Sequence, residues 1–167
     1  DIAKAGKDII DGCTFDNNLP CIAEKEVFAF NNIADELIDA MQANGAYLIT
    51  REQAEKLSKI VLVEKTNPKT GISTKTVCRD CVGRDAKVLL EKIGVYVGND
   101  IRCVICETDF DHDFVQHELM MPILPIVRVK NIDEAISLAV KAEHGFRHTA
   151  HMHSKNIDNL TRFARAV

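Results

Sequence analysis

The sequence predicts one α/β domain with three layers, in which helices cover both faces of a mainly parallel β-sheet. Short apolar segments typical of strands alternate with helical segments of about a dozen residues, and parallel strands need such crossovers. The chain has 167 residues, 46% hydrophobic and 28% charged, which suits one globular domain with a substantial core. No repeat, low-complexity stretch or linker divides it. We therefore expect a single domain over residues 1–167.

Helices are predicted where apolar residues recur on one face and a capping or terminating residue stands beside them. The segment Thr50-Arg51-Glu52-Gln53 is a capping box, and the apolar stripe that begins at Ile132 is the clearest helical pattern. The six predicted helices cover residues 2–10, ending at Gly12; 33–41, capped by Asn31 or Asn32 and ending at Gly45; 54–61; 85–93, ending at Gly94; 132–140, ending at Gly145; and 157–163.

Strands are predicted where short apolar segments follow turn signals. They cover residues 27–30, 46–49, 95–97, 101–106, 123–129 and 148–153. Pro125 falls inside the fifth of these, which is unusual because proline cannot donate a hydrogen bond to a neighbouring strand. Residues 67–71 have the composition of an exposed turn.

Composition and charge exclude several classes of protein. The formal charge of −4 gives no basic surface for nucleic acid or for anionic membranes. No apolar segment is long enough to span a bilayer, and no secretory signal opens the chain. Both ends lie inside helical patterns, and the first residue is Asp1 rather than methionine. We therefore expect an excised piece of a longer protein.

The six cysteines include two C-x-x-C pairs, Cys78 with Cys81 and Cys103 with Cys106. This spacing allows a zinc site that stabilises an interaction module. However, Cys103 and Cys106 lie three apart in a predicted buried strand, so their side chains point to opposite faces. Neither pair has the glycine or proline of a metal-binding knuckle. Buried reduced thiols are the favoured interpretation, with no metal.

Cys21 stands apart from the other cysteines, because it ends a polar loop just before a predicted strand. Such a loop can present a nucleophile, although an unpaired cysteine is more often a small core residue. Pro20 suits the first turn of a short helix, whose N–H groups could stabilise a thiolate or an oxyanion at Cys21. We expect the preceding residues Asp16, Asn17 and Asn18 to lock the loop by hydrogen bonds to the backbone.

Two other groups of polar residues are candidates for chemistry. His151 and His153 alternate on a predicted strand and could bind a metal, or one histidine could act as a base for Cys21. Surface histidines are the commoner outcome. Glu118 precedes a predicted strand and could bind sugar hydroxyls of a nucleotide, whereas a solvated loop glutamate is the simpler interpretation.

Four segments together resemble the CoA-acylating aldehyde dehydrogenases, closest to the ethanolamine- and propanediol-utilisation type associated with bacterial microcompartments. They occur in the family's order and span nearly the whole chain. They are Phe15-Asp16-Asn17-Asn18-x-x-Cys21-x-x-Glu24-Lys25, Val82-Gly83-Arg84-Asp85-Ala86, Glu118-Leu119-Met120-Met121-Pro122-Ile123-Leu124-Pro125, and His148-Thr149-Ala150-x-Met152-His153-Ser154.

The resemblance implies the catalytic domain of an NAD-dependent oxidoreductase, without its nicotinamide-binding domain and C-terminal tail. By match to the family's motifs, Cys21 is the catalytic nucleophile, and its backbone N–H contributes to the oxyanion hole. Glu118 matches the family glutamate that contacts the nicotinamide-side ribose. Relatives often carry a large aromatic residue where this chain has Cys81, which favours a packing role for that cysteine.

The implied reaction oxidises a short aldehyde through a cysteine thioester and transfers the acyl group to coenzyme A. The implied cofactors are therefore NAD and, as co-substrate, coenzyme A. The resemblance also implies a homo-oligomer in the cytoplasm or in a microcompartment lumen, with no nucleic-acid or membrane partner. Two alternatives stay open at this point. They are the aldehyde dehydrogenase half of a bifunctional alcohol/aldehyde dehydrogenase, and the zinc-stabilised module at Cys78, Cys81, Cys103 and Cys106.

Overall fold

A computed structural model describes all residues from 1 to 167 and contains seven α-helices and six β-strands. The helices are α1 Ile2–Cys13, α2 Ala34–Gln42, α3 Arg51–Val61, α4 Ala86–Glu91, α5 Asp113–Gln116, α6 Ile132–Ala142 and α7 Ile157–Ala166. The strands are β1 Val27–Phe30, β2 Ala46–Leu48, β3 Leu62–Thr66, β4 Ser73–Val77, β5 Cys103–Glu107 and β6 Ile123–Val129. No helix is both long enough and apolar enough to cross a membrane.

The main sheet has four strands in the order β1-β6-β5-β2, and all its pairings are parallel. Parallel neighbours cannot be joined by a tight turn, so helices make the crossovers between them. Strands β3 and β4 form a separate antiparallel hairpin.

Alternate residues of the sheet supply two apolar cores. On one face, Ile105 and Leu124 join a buried cluster with residues of α1 and α2, such as Ile10 and Met41. On the other face, Val104 belongs to a second cluster. That second cluster also contains Leu57 of α3, Leu89 and Leu90 of α4, and Cys81 and Cys106. Helices thus pack on both faces, and the predicted three-layer α/β class is confirmed.

The central strand β6 can contain Pro125 because its pairing with β1 begins only after that residue. Pairing with β1 starts at Val27 and Ile126, one residue after Pro125. On the other side, Pro125 stands opposite Cys106 of β5. The position without an N–H donor therefore precedes the first residue pair between β1 and β6, and no hydrogen bond of that pairing is lost. This explains why a strand with an internal proline can lie in the middle of the sheet.

Helix α6 packs against β1 and β6 at a smaller cluster that contains Val127 and Ala142. The helix forms as predicted, but Ala142 is its only fully buried residue. Nearby apolar side chains are strongly exposed: Phe146 by 84% and Ile157 by 71%. The apolar stripe of α6 is therefore only partly covered by the rest of the chain.

Most predicted elements are present, with limited differences at their ends. The capping box is confirmed, because Thr50 accepts from the Gln53 N–H and the Gln53 side chain accepts from the Thr50 N–H. The predicted cap of α2 is wrong. Its N-cap is Ile33, and neither Asn31 nor Asn32 caps the helix, because the chain first makes a turn after β1.

Two predicted strands are wrong, and one hairpin was missed. Residues 95–97 and residues 148–153 are irregular, because neither segment pairs with a strand. The β3–β4 hairpin occupies residues that flank the predicted turn at 67–71. Alternating β-branched residues on both sides of that turn were the available signal, as in Ser73-Thr74-Lys75-Thr76-Val77.

Candidate active site

The two predicted site residues lie at the same edge of the sheet. Cys21 stands in the segment that enters β1, and Glu118 stands in the segment that enters β6. Because β1 and β6 are parallel neighbours, the segments that enter them lie side by side. A direct contact joins them: the Lys25 ammonium donates to the carbonyl oxygen of Val115 at 2.6 Å.

Cys21 lies in a tight turn rather than in a helix. The turn is closed by the Ala23 N–H, which donates to the Pro20 carbonyl oxygen at 3.0 Å, so the predicted first helical turn is wrong. Cys21 is exposed, whereas Cys13, Cys81, Cys103 and Cys106 are buried. The N–H groups of Cys21 and Ile22 donate to no protein acceptor. They are therefore available to the oxyanion of an adduct that the Cys21 sulfur forms with a carbonyl group.

The loop before Cys21 has an unusual backbone. Asp16, Asn17 and Asn18 are three consecutive residues in the left-handed region, with φ values of 46°, 52° and 65°. Asparagine and aspartate adopt this region more readily than other side chains, yet it still costs conformational energy. Such a conformation persists only where surrounding contacts hold it, and functional sites are where it concentrates.

Asn18 supplies contacts of this kind. Its side-chain NH₂ donates to the Cys13 carbonyl oxygen at 2.9 Å and to the Glu24 carbonyl oxygen at 3.0 Å. The same group lies 3.3 Å from the Cys13 sulfur. Asn18 thus joins the end of α1 to the residues just after Cys21. The predicted scaffolding role holds for Asn17 and Asn18, whereas the Asp16 side chain makes no hydrogen bond.

Gly83 connects the cysteine loop with the segment that carries Glu118. The Asn17 side chain donates to the Gly83 carbonyl oxygen at 3.1 Å, and the Gly83 N–H donates to the Met120 carbonyl oxygen at 2.9 Å. Gly83 has a φ of +66°, and a Cβ there would lie 3.2 Å from the Leu19 side chain. Sequence reasoning did not assign this role to Gly83, and only the glycine in a polar turn pointed to a special backbone conformation.

Glu118 is presented by an anchored loop. Its neighbours Leu119 and Met121 are almost fully buried, while Glu118 itself is exposed. The Glu118 carboxylate accepts no hydrogen bond from the chain. It is therefore free to accept a hydrogen bond from a ligand hydroxyl group, which is the chemistry that the sequence predicts for it.

Glu24 is a half-buried carboxyl to which sequence reasoning assigned no role. One of its oxygens, Oε2, is buried and has no hydrogen-bond partner. The carboxyl lies against Gly12, where a Cβ would come within 2.5 Å of Oε2. Burial raises the pKa of Glu24, and its own backbone hydrogen bond and the charges of His151 and His153 offset part of that shift. Because His151 and His153 contribute to this shift, the histidine segment lies near the Glu24 carboxyl.

The structure does not form the other sites considered from the sequence. No histidine is hydrogen-bonded to Cys21, so a Cys–His pair is not assembled. No group of three or more histidine, cysteine or acidic side chains is placed to hold a metal ion. The sheet separates the four thiols of the zinc hypothesis. Cys103 belongs to one core, Cys81 and Cys106 belong to the other, and Cys78 packs against that second core. That hypothesis is wrong.

Comparison with known proteins decides the family. A match to the aldehyde dehydrogenase family extends over residues 1–167, the whole chain. The chain belongs to the aldehyde dehydrogenase family. It is 43% identical over 167 residues to the acetaldehyde dehydrogenase (acetylating) EutE of Escherichia coli K12. It is 38% identical over 168 residues to the propanal dehydrogenase (CoA-propanoylating) of Salmonella typhimurium. The resemblance to the acylating branch is thus confirmed.

Solved structures agree with this aldehyde dehydrogenase assignment. A propionaldehyde dehydrogenase from the fucose utilisation microcompartment of Clostridium phytofermentans is 53% identical, with a TM-score of 0.89 over 99% of the chain. The Rhodopseudomonas palustris propionaldehyde dehydrogenase with bound propionyl-CoA is 46% identical, with a TM-score of 0.88. The chain covers 36% of the first structure and 35% of the second. It also spans 35% of the length of the Escherichia coli enzyme.

The role of Asn18 predicts the effect of its removal. Asn18→Ala leaves two carbonyl oxygens without their donor, so we expect the free energy of unfolding to fall by about 1–3 kcal/mol. Urea denaturation measures this change. Asn32→Ala is the matched control, because Asn32 is exposed and makes no side-chain hydrogen bond; its effect should stay within about 0.5 kcal/mol. Equal effects of the two substitutions would contradict the scaffolding role.

The raised pKa of Glu24 predicts a pH dependence of stability. A carboxyl with a folded-state pKa above its unfolded value favours folding at low pH. It loses that contribution as pH rises through the folded pKa. Glu24→Gln, which mimics the protonated form, should therefore be more stable than wild type near neutral pH. The two proteins should converge below about pH 4. Denaturation from acid to neutral pH tests this, with exposed Glu36→Gln as control; a constant difference at all pH values would refute the linkage.

Proposed function

We propose that this chain is the catalytic domain of a CoA-acylating aldehyde dehydrogenase, spanning residues 1–167, with Cys21 as its nucleophile. The observation that carries the proposal is the geometry at Cys21. The exposed Cys21 thiol lies in a tight turn that a backbone hydrogen bond closes, and the N–H groups of Cys21 and Ile22 have no protein acceptor. The acetylating and propanoylating relatives supply the reaction class.

The proposed chemistry begins with addition of the Cys21 thiolate to the carbonyl carbon of an aldehyde. The carbonyl oxygen becomes an oxyanion, which the N–H groups of Cys21 and Ile22 can stabilise by hydrogen bonds. Collapse of this adduct expels hydride and leaves a thioester on Cys21. The CoA thiolate then attacks the thioester carbonyl, and Cys21 departs as a thiolate with the acyl group now on CoA.

The residues of this chain fit part of an NAD site. Glu118 is an exposed carboxylate without a hydrogen-bond partner, on a loop held by buried Leu119 and Met121. A carboxylate in this position can accept hydrogen bonds from the hydroxyls of a ribose. NAD, when bound, supplies the acceptor for the hydride. Glu118 orients it, and Gly83 keeps the Glu118 segment in register with the cysteine loop through Met120.

Short-chain aldehydes are the proposed substrates, because the similar enzymes include acetaldehyde and propionaldehyde dehydrogenases. A single-function enzyme is favoured over the aldehyde half of a bifunctional one. Identity to the aldehyde-alcohol dehydrogenase of Clostridium acetobutylicum is 26%, against 43% to the acetylating enzyme.

We also propose a homo-oligomer in the cytoplasm or in a microcompartment lumen, and sedimentation of the purified protein tests the oligomeric state.

Substitution of Cys21 tests the central claim. In the full-length protein, Cys21→Ala should abolish aldehyde- and CoA-dependent NADH formation while leaving NAD binding intact, because only the covalent step is lost. Absorbance of NADH reports turnover, and fluorescence titration reports NAD binding. Cys78→Ser is the control, since Cys78 lies in a different turn and should leave turnover unchanged under reducing conditions. Turnover by Cys21→Ala would refute the assignment.

Substitution of Glu118 tests the cofactor contact separately. Glu118→Ala removes a charged acceptor, a hydrogen bond worth about 1.5–3 kcal/mol, so we expect the KM for NAD to rise by about tenfold or more. Steady-state kinetics at varied NAD measures this change. Asp111→Asn is the control, because Asp111 is an exposed acidic residue on the other side of α5, and it should change the KM little. An unchanged KM in Glu118→Ala would remove Glu118 from the NAD site.

A further inference from the structure

The C-x-x-C pair Cys78 and Cys81 is a feature that neither the proposed reaction nor a zinc site explains. The two residues are the ends of one tight turn between β4 and α4. The Cys81 N–H donates to the Cys78 carbonyl oxygen at 3.0 Å, which closes the turn. The ends of such a turn have Cα atoms within about 7 Å of each other. That separation is in the range that a disulfide bridges.

The two thiols differ in access to solvent. Cys78 is half-buried at the end of the hairpin, whereas Cys81 is fully buried in the core beneath α3 and α4. Burial, together with the neighbouring Cys78 thiol, raises the pKa of Cys81 to about 11. A dissolved reagent therefore meets Cys78 first, and Cys81 stands next to it as the second thiol.

We propose that Cys78 and Cys81 are a redox modification site, where a reversible disulfide forms by exchange with a small-molecule disulfide such as oxidised glutathione. The Cys78 thiolate attacks one glutathione sulfur, forms a mixed disulfide and releases one glutathione thiolate. Cys81, on losing its proton, attacks the Cys78 sulfur and releases the second glutathione. The protein loses two protons and two electrons, and one glutathione disulfide takes them up to become two glutathione thiols.

The place of this turn in the fold gives the disulfide a consequence. Gly83 follows Cys81 by two residues. Its carbonyl oxygen accepts a hydrogen bond from the Asn17 side chain, and its N–H donates to the Met120 carbonyl oxygen. Cross-linking the turn restricts its opening, so the Gly83 N–H should exchange with solvent more slowly when the disulfide is present. The redox state of the pair is thereby transmitted to the scaffold of the cysteine loop.

A second thiol pair provides an internal control. The sulfur atoms of Cys13 and Cys103 lie 3.7 Å apart, and both residues are fully buried with no exposed surface. Proximity is thus available to this pair, but access is not. If access decides reactivity, Cys13 and Cys103 should stay reduced under conditions that oxidise Cys78 and Cys81.

Tryptic mapping of the full-length protein tests the proposal. Cleavage after Lys75, Arg79 and Arg84 separates the two cysteines into residues 76–79 and 80–84, which only a disulfide can join. The protein is equilibrated with glutathione buffers of increasing oxidised fraction, quenched, alkylated and digested. We expect the linked peptide to appear with the oxidised fraction and to disappear with dithiothreitol. Peptides containing Cys13 and Cys103 should remain alkylated throughout.

Cys78→Ser is the decisive variant, and its circular dichroism spectrum checks that it folds. In this variant Cys81 should stay reduced, and the Gly83 N–H exchange rate should no longer depend on the redox buffer. In wild type, oxidation should slow that exchange several-fold. Full alkylation of Cys78 and Cys81 in every buffer, or a stable glutathione adduct on Cys78 alone, would overturn the proposal. The test has no activity readout, so its result is independent of the proposed dehydrogenase function.

Discussion

The candidate site depends on one constraint, the parallel pairing of the edge strand β1 with β6. Because both strands run in the same direction, the segments that lead into them meet at one edge. One of these segments carries Cys21 and the other carries Glu118. The proline in β6 is compatible with this pairing because it precedes the first pair, Val27 with Ile126. A thiol and a carboxylate that lie far apart in the sequence are thus presented on the same side of the domain.

The contacts around Cys21 show how a strained loop is kept in place. Three consecutive left-handed residues cost backbone energy, and Asn18 offsets this cost with two hydrogen bonds to backbone carbonyls. Glu24 adds a half-buried carboxyl with one buried, unpaired oxygen, which is unfavourable when the carboxyl is charged. Such locally unfavourable features concentrate at functional sites. Their grouping within a few residues of Cys21 agrees with its proposed role.

Sequence patterns predicted the fold class and most helices, because helical periodicity and capping are local properties. The helix at Ile132 and the capping box at Thr50 are examples. The errors lie where a local pattern suggests an element but the contacts that would form it come from distant residues. Residues 148–153 alternate like a strand, yet no strand pairs with them. Asn31 and Asn32 are good caps by composition, but the turn after β1 moves the start of α2 beyond them. Loop position made Cys21 and Glu118 candidates, and the family resemblance supplied the roles predicted for them, which periodicity cannot identify.

The sequence by itself determined the α/β class and the four family motifs, and it singled out Cys21 among six cysteines as the candidate nucleophile. Only the tertiary structure decided how those motifs meet. Gly83 accepts a hydrogen bond from Asn17 and donates one to Met120, and no spacing rule connects residues so far apart along the chain. The tertiary structure also distinguished the two C-x-x-C pairs. Cys78 and Cys81 form a turn with one half-buried thiol, whereas Cys103 and Cys106 lie within the buried strand β5. The reason is physical: side-chain periodicity is set by neighbouring residues, whereas hydrogen bonds and burial are set by the packing of distant segments.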